Sequence, residues 1–403
     1  MRKQRRHLIQ ILFVTILAIA NVHFAPTAEA RTFLVCPTGC DFTTIAAALQ
    51  AAKDGDTIAI GEGTYAGGVV VEKKVTLAGV DRDKTIIQGT SSASVIRIGG
   101  KIAVTIEGVT ITGGGGSRTG ASTNGGGGIL NEGELTLIDS IVRGNTVVGG
   151  EGGGIYSEST KPVAIRDSVI SGNQAMDGGG IFLRDGDVEI ADTTIANNQS
   201  TQRGGGLVYA GGKTLRLERC TVRDNRADFS AGGLSVSSHL ELANSVVSGN
   251  RAPNTGGLVS GRELARIVGT TFSGNVANGN AGGIRVGSGG VALVDSTVEK
   301  NRATSGAGIF TNARSSFSGN VSLTNTTVRD NTATQNGGGI ANDASEIVLD
   351  TSRIVDNHAG NSGGGIYSQT TKKNTVRLRN GSVIAGNEPD QCAPAGLRCR
   401  AEG

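Results

Sequence analysis

The sequence contains no tryptophan, and aromatic residues make up only 3% of its 403 residues. Proteins that bind nucleic acids use basic surfaces to neutralise phosphates, and those that bind single strands also stack bases on aromatic side chains. A basic excess is missing as well once the N-terminal segment described next is set aside. We therefore expect no nucleic-acid partner.

The first 30 residues have the features of a secretory signal peptide. Four basic residues open the segment, an apolar stretch follows from about Leu8 to Ala25, and Ala28 and Ala30 form a small-x-small ending. We expect cleavage before Arg31. The alternative, an uncleaved membrane anchor, is disfavoured because the apolar stretch is short for a spanning helix and contains polar residues.

Without this segment the chain is formally neutral. The segment holds four of the 38 Lys and Arg residues and one of the 35 Asp and Glu residues, which leaves 34 of each. No later stretch is apolar enough to be predicted as a transmembrane helix. The predicted location is secreted or at the cell surface, with the periplasm as an alternative.

Residue patterns typical of catalytic sites are scarce. After the leader there are two histidines, His239 and His358, and no Asp-Asp pair. Neither histidine lies in a recognisable catalytic motif. The sequence leaves the question of enzymatic activity open and leans towards a protein that is not an enzyme.

Cysteine is also rare, with five copies, and four of them stand close to the two ends of the mature chain. Cys36 and Cys40 bracket one short stretch, and Cys392 and Cys399 bracket another. Each pair is predicted to form a local disulfide in an oxidising compartment. The alternative, one four-cysteine metal site, would require the chain ends to meet. Cys220 is left without a partner.

Glycine is abundant, with 65 copies, and it recurs within a repeat. A glycine-rich signature ends in an aliphatic residue about every 26 residues, at Ile129, Ile155, Ile181, Leu207, Leu234, Leu258, Ile284, Ile309, Ile340 and Ile366. An asparagine follows the same period, at Asn145, Asn173, Asn198, Asn225, Asn250, Asn275, Asn301, Asn331, Asn357 and Asn387. Alternating, β-branched segments precede each asparagine, which is typical of strands.

A short repeat made of strands without helical periodicity predicts an all-β solenoid, a parallel β-helix in which like residues stack in columns. Asparagine at one corner of every coil would pair its side-chain amide with the coils above and below and tolerate a left-handed backbone. Glycine at another corner would avoid a clash between a Cβ atom and the next coil. The asparagine column is thus predicted to be a structural ladder.

The ends of a solenoid need caps, because an open coil exposes its core. A short amphipathic helix is predicted from about Thr43 to Lys53, with Gly55 ending it. The predicted organisation is a signal peptide at 1–30, an N-terminal cap at 31–54, the β-helix at 55–387 and a C-terminal cap or tail at 388–403.

The repeated GGGI and GGGL signatures with downstream SGN or RDN resemble the repeats of polymorphic outer-membrane protein passengers. The segment FTTIAAALQAAKDGDTIAIGEGTY, residues 42–65, resembles the opening of pectin-lyase-like β-helices. Together these resemblances cover nearly all of residues 31–390, and they imply an exported, right-handed parallel β-helix. They also imply an alternative function, that of a polysaccharide lyase or related carbohydrate-active enzyme.

Such an enzyme would place acidic and basic residues together on the outside of one sheet. Glu132, Glu158 and Arg184 lie three positions after successive inward aliphatic residues, so they are predicted to stack on neighbouring coils. Carboxylates there would bind a cation, and the arginine would abstract a proton or hold a substrate carboxylate. The competing interpretation is a column of surface ion pairs.

No cofactor is predicted, although one acidic stretch, RDGDVEIAD at residues 184–192, raises the alternative of bound calcium. The segment KDGD at 53–56 repeats the same Asp-Gly pattern, and neither copy has the ligand spacing of a calcium loop. Asp-Gly between strands is primarily a turn signal.

One repeated position, the residue after each inward aliphatic residue, is predicted to point outwards. We call these residues the outward row: Leu130, Tyr156, Phe182, Val208, Ser235, Val259, Arg285, Phe310, Ala341 and Tyr367. Tyr156, Phe182, Phe310 and Tyr367 are the predicted binding residues, for a surface glycan or a protein partner. The resulting expectation is an exported adhesion-type or structural protein. The alternative is that loops at the glycine corner cover this row.

Overall fold

The computed structural model describes residues 29–118, 124–311, 319–343, 345–369, 376–394, 397 and 399. Residues 1–28 of the predicted signal peptide lie outside the described residues, as does part of the predicted C-terminal segment. The described chain winds into about 13 coils of parallel strands. The predicted all-β solenoid is therefore confirmed.

A typical coil contains four short strands. Ile155–Ser157 is followed by Val163–Arg166, Val169–Ser171 and Gln174–Ala175, and the chain then passes the glycine corner into the next coil. Each strand pairs in parallel with the corresponding strand of the next coil, so that Ile155 lies beside Ile181. Four parallel sheets therefore run along the solenoid.

The first and second sheets contain the first and second strands of each coil. Among the described residues, the 13 strands of the first sheet are Val69–Val71, Ile96–Ile98, Ile129–Asn131, Ile155–Ser157, Ile181–Leu183, Leu207–Tyr209, Leu234–Val236, Leu258–Val259, Ile284–Val286, Ile309–Thr311, Ile340–Asn342, Ile366–Ser368 and Cys392–Ala393. The 14 described strands of the second sheet are Thr32–Val35, Thr57–Ile60, Thr76–Gly79, Ala103–Glu107, Glu134–Ile138, Val163–Arg166, Val188–Ala191, Thr214–Glu218, His239–Ala243, Ala265–Val268, Val291–Val294, Val321–Thr324, Ile347–Asp350 and Val376–Arg379.

The third and fourth sheets complete the coil. Within the described chain, the 13 strands of the third sheet are Gly63–Ala66, Thr85–Gln88, Thr110–Thr112, Ile141–Arg143, Val169–Ser171, Thr194–Ala196, Thr221–Arg223, Val246–Ser248, Thr271–Ser273, Thr297–Glu299, Thr327–Arg329, Arg353–Val355 and Val383–Ala385. The eight strands of the fourth sheet, again counting described residues, are Gln174–Ala175, Gln199–Ser200, Arg226–Ala227, Arg251–Ala252, Val276–Ala277, Arg302–Ala303, Thr332–Ala333 and His358–Ala359. A separate antiparallel pair joins Ser117–Arg118 to Asn124–Gly125.

The core is a stack of aliphatic side chains inside the coils. The ten aliphatic residues that end the glycine signatures, from Ile129 to Ile366, are all fully buried. They are in register from coil to coil without a break. Alternation of inward and outward residues along short strands explains this arrangement, because successive side chains of a strand point to opposite faces.

The asparagine ladder is confirmed. The Asn250 side-chain amide donates to the Val222 carbonyl at 2.9 Å and to Asn275 Oδ1 at 3.0 Å. Its Oδ1 accepts from the backbone N–H and the Nδ2 of Asn225, both at 3.0 Å. The same pattern links the coils on either side, so each asparagine satisfies buried backbone groups of its neighbours.

The predicted left-handed backbone lies one residue earlier than expected. The ladder asparagines themselves do not have positive φ angles, whereas the residues before them do: Gly144, Gly172, Asn197, Asp224, Gly249, Gly274, Lys300, Asp330, Asp356 and Gly386. The preceding residue makes the sharp bend, and the asparagine then points its amide into the coil. The interpretation that the asparagine itself adopts this conformation was wrong.

The glycine corner is as tight as predicted. Gly152 has a φ of 64°, which favours glycine. A Cβ atom on Gly154 would lie 2.7 Å from the carbonyl oxygen of Gly180 in the next coil. Stacked coils therefore approach each other too closely at this corner for a side chain.

Another ladder, which we did not predict, accounts for Cys220. Between the second and third sheets each coil places a small buried side chain: Ser140, Ser168, Thr193, Cys220, Ser245, Thr270, Ser296, Thr326, Ser352 and Ser382. The Ser245 hydroxyl accepts the Cys220 N–H at 3.0 Å, and the Cys220 thiol donates to the Ile190 carbonyl at 3.3 Å. Cys220 thus replaces a serine or threonine of the column.

Burial raises the pKa of the Cys220 thiol to about 11. Because the thiolate is the reactive form and an unfolded cysteine has a pKa of roughly 8.5, we expect labelling at about pH 8 to be at least about a hundredfold slower in the folded protein. A thiol-reactive dye without reductant, in buffer and in denaturant, measures this ratio. Rapid labelling of the native protein would contradict the buried position.

The N-terminal helix and both disulfides are present. The helix is Ile45–Ala51, shorter than predicted, and the Thr44 hydroxyl accepts the Ala47 N–H at its start. Its residues Ile45, Ala48 and Leu49 are buried in the same core as the first coils. Cys36 is bonded to Cys40 and Cys392 to Cys399, which confirms the predicted pairs. Strand pairing begins before the helix, because Thr32–Val35 lies beside Thr57–Ile60.

Candidate functional site

The outward row is divided into a covered part and an open part. Its first four residues, Leu130, Tyr156, Phe182 and Val208, form a buried apolar cluster. Tyr156 is 1% exposed and Phe182 is 3% exposed. The prediction that these two rings form an exposed binding surface was wrong. The alternative, that neighbouring corner segments cover them, applies in this half. The prediction was also wrong for Phe310, which is 8% exposed and packs against Ala281 and Ala341.

Arg184 and the preceding corners cover these rings. The Arg184 guanidinium lies 5.9 Å from the centre of the Tyr156 ring and 5.8 Å from that of Phe182. It also donates to the Tyr156 hydroxyl at 3.1 Å and to Glu151 at 2.7 Å. Burial raises the pKa of the Tyr156 phenol. The rings therefore pack beneath an arginine and do not contact solvent.

A second repeated position, which we call the corner row, borders the outward row. It is the residue four places before each inward aliphatic residue: Gly125, Glu151, Asp177, Arg203, Ser230, Asn254, Asn280, Ser305, Asn336 and Ser362. In the covered half Gly125 is followed by three charged residues, and Asp177 pairs with Arg203 at 3.1 Å. From Ser230 onwards every member is neutral and carries a hydroxyl or an amide.

Beside the neutral part of the corner row lies a groove with a volume of about 760 Å³. Its floor is the second part of the outward row, Arg285, Phe310, Ala341 and Tyr367, which pair in sequence on successive coils. Its wall contains Ser230, Asn254, Asn280, Ser305 and Asn336. We call this cavity the C-terminal groove.

Further side chains extend the C-terminal groove at its edges. Phe229, 56% exposed, lies at one end, and Gln369 lies near Tyr367 at the other. Five coil steps separate these ends, which corresponds to about 24 Å at about 4.8 Å per step. The groove is therefore elongated along the solenoid axis.

The wall and edges present exposed polar groups. Asn280, Gln335 and Gln369 are exposed, and Asn254, Ser305 and Asn336 are partly exposed. Asn254 Nδ2 donates to the Phe229 carbonyl at 2.9 Å, and this bond holds the corner beside the aromatic ring. Because each amide carries both donors and an acceptor, the wall can form hydrogen bonds of either direction with a ligand.

Few ionisable groups line the groove. Among the described lining residues these are Arg285, Asp343 and Tyr367. Asp343 follows the strand Ile340–Asn342, and its backbone N–H donates to the Thr311 hydroxyl at 3.1 Å. The described lining thus contains one carboxyl group, whereas glycoside hydrolysis ordinarily uses two.

Comparison with protein families identifies the handedness of the coil. Residues 68–252 match the family model described as right-handed beta helix region. The protein is a right-handed parallel β-helix. The predicted fold is confirmed, and the more specific resemblance to polymorphic outer-membrane protein passengers stays a prediction. No curated protein matches the chain.

Several solved structures resemble this right-handed β-helix. The A-module of mannuronan C-5 epimerase AlgE4 from Azotobacter vinelandii is 16% identical, with a TM-score of 0.45, over 89% of this chain and 94% of that module. The AlgE6 A-module from the same organism is 13% identical, with a TM-score of 0.39, over 87% and 93%. The catalytic unit of a Streptomyces thermodiastaticus α-1,3-glucanase is 14% identical, with a TM-score of 0.39, over 92% and 71%. Sequence identities and TM-scores this low say nothing about the activity of this chain.

The three residues of the alternative catalytic site do lie on successive coils of the β-helix. The backbone N–H of Glu158 donates to Asn131, and that of Arg184 donates to Ser157. Glu132, however, forms an ion pair with Arg97 at 3.0 Å, and Arg184 forms one with Glu151. The competing interpretation, a column of surface ion pairs, therefore describes the contacts of Glu132 and Arg184.

Three of the four acidic residues of the stretch 184–192 are paired with basic residues of neighbouring coils. Asp187 contacts Lys213 at 3.3 Å, Glu189 contacts Arg166 at 3.0 Å, and Asp192 contacts Arg219 at 2.7 Å. In the other Asp-Gly turn, Asp56 accepts the backbone N–H groups of Arg31 and Lys53, which lower the pKa of that carboxyl. Within the described ranges, no group of three His, Cys, Asp or Glu residues is arranged to hold a metal ion. The absence of a cofactor stays a prediction, with calcium as its alternative.

Two further observations concern the cellular compartment in which the protein is found. In the part of the chain that the structure describes, no helix is long and apolar enough to cross a membrane. The two disulfides are typical of proteins that fold in an oxidising, extracellular environment.

Proposed function

We propose that this protein is an exported, adhesion-type binding protein that holds an extended glycan along the C-terminal groove without cleaving it. The observation that carries this proposal is the chemistry of the groove. One face combines a row of amides and hydroxyls with aromatic rings at both ends. A cleft with a few convergent polar groups and aromatic surface is the usual form of a small-molecule site.

The polar wall matches the hydroxyl groups of a sugar. A hydroxyl both donates and accepts hydrogen bonds, and so do the side chains of asparagine, glutamine and serine. Asn254, Asn280 and Asn336 stand on different coils of a rigid stack, so their amides are spaced along the groove. A polymer with repeated hydroxyl groups would meet a similar partner at several points along its length.

The aromatic residues supply the apolar contacts. Phe229 is the one aromatic residue among the exposed large hydrophobic side chains of the described chain. Tyr367 is partly exposed at the opposite end and offers both an apolar ring and a polar hydroxyl. Each ring can stack against the apolar face of a sugar, while the wall binds the hydroxyl groups at its edge.

The arrangement of charges supports binding over cleavage. Asp343 has no second carboxyl group beside it among the described lining residues, and the acidic residues proposed for a lyase site lie elsewhere on the solenoid, in the covered half. The predicted signal peptide and the disulfides support export. A rigid groove on an exported rod suits attachment to a surface polysaccharide.

The proposal predicts that changing Phe229 and Tyr367 to serine weakens polysaccharide binding by at least about tenfold, since exposed aromatic anchors often dominate an interface. Thermal stability should change little for Phe229→Ser, because that side chain is mostly in solvent. Affinity gel electrophoresis of the mature protein against a panel of soluble polysaccharides, followed by calorimetry on any that bind, measures the effect.

Val268→Ser provides a matched control, because Val268 is an exposed hydrophobic residue on the second sheet. It should leave binding unchanged. Tyr156→Ser should instead lower stability, because its ring is buried. If Phe229→Ser and Tyr367→Ser bound every polysaccharide as tightly as the unmodified protein, the groove would not be the binding site. Release of new reducing or unsaturated ends would show catalysis instead.

A further inference from the structure

The two charged side chains described in the C-terminal groove have opposite signs. Arg285 lies on the floor in the strand Ile284–Val286, and Asp343 lies two coils further on, after the strand Ile340–Asn342. The described lining contains no lysine and no other arginine. Its formal charge at neutral pH is therefore zero.

The corner row shows where this neutral character begins. In the covered half its members Glu151, Asp177 and Arg203 are charged and ion-paired, as in the contact between Asp177 and Arg203. In the open half the same position carries Ser230, Asn254 or Asn280 on successive coils. This repeated position thus carries charge on three coils beside the covered rings, and neutral hydroxyls and amides beside the C-terminal groove.

Recognition of a polymer with a carboxylate or sulfate on every unit would need repeated positive charge. Arginine and lysine bind such groups through charge-assisted hydrogen bonds, and arginine does so with two parallel bonds. The described groove offers one arginine over about 24 Å, and the negative charge of Asp343 offsets that single positive charge. Amides and hydroxyls bind neutral hydroxyl groups without this penalty.

We infer that the ligand of the C-terminal groove is a neutral glycan, one whose units carry hydroxyl groups without carboxylate or sulfate. This inference rests on the proposed function, because it names the class of polysaccharide that the same groove takes. It excludes uronic acid polymers and sulfated glycans as the preferred ligands.

The test compares neutral polymers, such as soluble β-glucan, dextran and mannan, with acidic ones, such as alginate and polygalacturonate, on the mature protein. We expect at least one neutral polymer to bind at least about tenfold more tightly than any acidic one. That affinity should change little between about 0.05 and 0.5 M NaCl, because salt screens charge interactions and not hydrogen bonds to neutral hydroxyls.

Ser305→Lys tests whether the bound polymer lies along the wall. Ser305 is partly exposed in the neutral part of the corner row, within the wall of the groove. The added positive charge should raise affinity for the acidic polymers severalfold at low salt, and the gain should disappear at high salt. The control is Val268→Lys, which adds the same charge on the second sheet, away from the groove. It should give no comparable gain in affinity.

The outcomes separate the two proposals. If an acidic polymer binds the unmodified protein most tightly, and Phe229→Ser weakens that binding, the inference of a neutral ligand is overturned while the groove remains the site. If no polymer of either kind binds, or if binding is unaffected by Phe229→Ser, Tyr367→Ser and Ser305→Lys alike, the proposed function fails and the inference fails with it.

Discussion

Replacement of Asn250 by alanine is expected to lower the free energy of unfolding by about 2–5 kcal/mol, because each buried polar group left unpaired costs about 1–3 kcal/mol. The fully buried Asn250 side chain makes four hydrogen bonds to neighbouring coils. Alanine would leave the Val222 carbonyl and the backbone N–H of Asn225 without these partners. Water cannot replace them inside the coil.

Hydrogen exchange measures this loss locally as well as globally. A solenoid is stabilised mainly by contacts between adjacent coils, so amides in the coils containing Asn225, Asn250 and Asn275 should lose protection before those near the ends. Asn278→Ala is the matched control, since Asn278 is exposed and lies outside the ladder. Equal protection in both variants would show that the ladder does not stabilise the stack.

Replacement of Gly232 by alanine is the second large effect we expect. A Cβ atom at Gly232 would lie 2.5 Å from the backbone nitrogen and 2.6 Å from the backbone oxygen of Arg251 in the next coil. Backbone atoms cannot rotate away as a side chain does, so the two coils would have to separate. Overpacking of this kind typically costs about 1–3 kcal/mol, and the cost here should reach at least the upper end.

Gly212→Ala separates this steric effect from a general effect of glycine replacement. A Cβ atom at Gly212 would meet nothing within 4 Å, and its φ is not positive. The free energy of unfolding of the Gly212→Ala variant should stay within about 0.5 kcal/mol of that of the unmodified protein, or rise slightly. Chemical denaturation of the two variants provides the comparison, and equal stability would mean that the coils separate at this corner without cost.

The repeat explains why so much of the fold could be predicted. Ile155 and Ile181 occupy equivalent places in sequence, and in the structure they lie side by side. Each coil contacts chiefly its two neighbours, so a local pattern repeated in phase is sufficient to define the stack. The position of the left-handed residue was misjudged, because the sequence shows which residues recur at a corner but not which of two adjacent residues makes the bend.

The candidate site could be predicted only in part. Tyr156 and Tyr367 occupy the same repeated position, yet Tyr156 is buried while Tyr367 is partly exposed in the C-terminal groove. Arg184 lies over the Tyr156 ring, and this contact comes from the next coil. The change from charged to neutral residues in the corner row was visible in the sequence, but its significance depended on knowing that this row borders the outward row.

The order of the amino acids was sufficient to predict a parallel β-helix, the aliphatic residues of its core, the asparagines of its ladder and the two cysteine pairs. The core and the ladder follow from the period and the alternation, because each residue packs against its equivalents on adjacent coils. The cysteine pairs follow from their short spacing. Which part of the outward row is open became clear only from the packing of the folded coils. Exposure depends on the size and charge of side chains that reach across from neighbouring corners, and such contacts have no fixed period in the sequence. Arg184 closes the surface above Tyr156, whereas Asn280 and Ser305 border a groove in which Tyr367 is partly exposed, although Phe310 is buried.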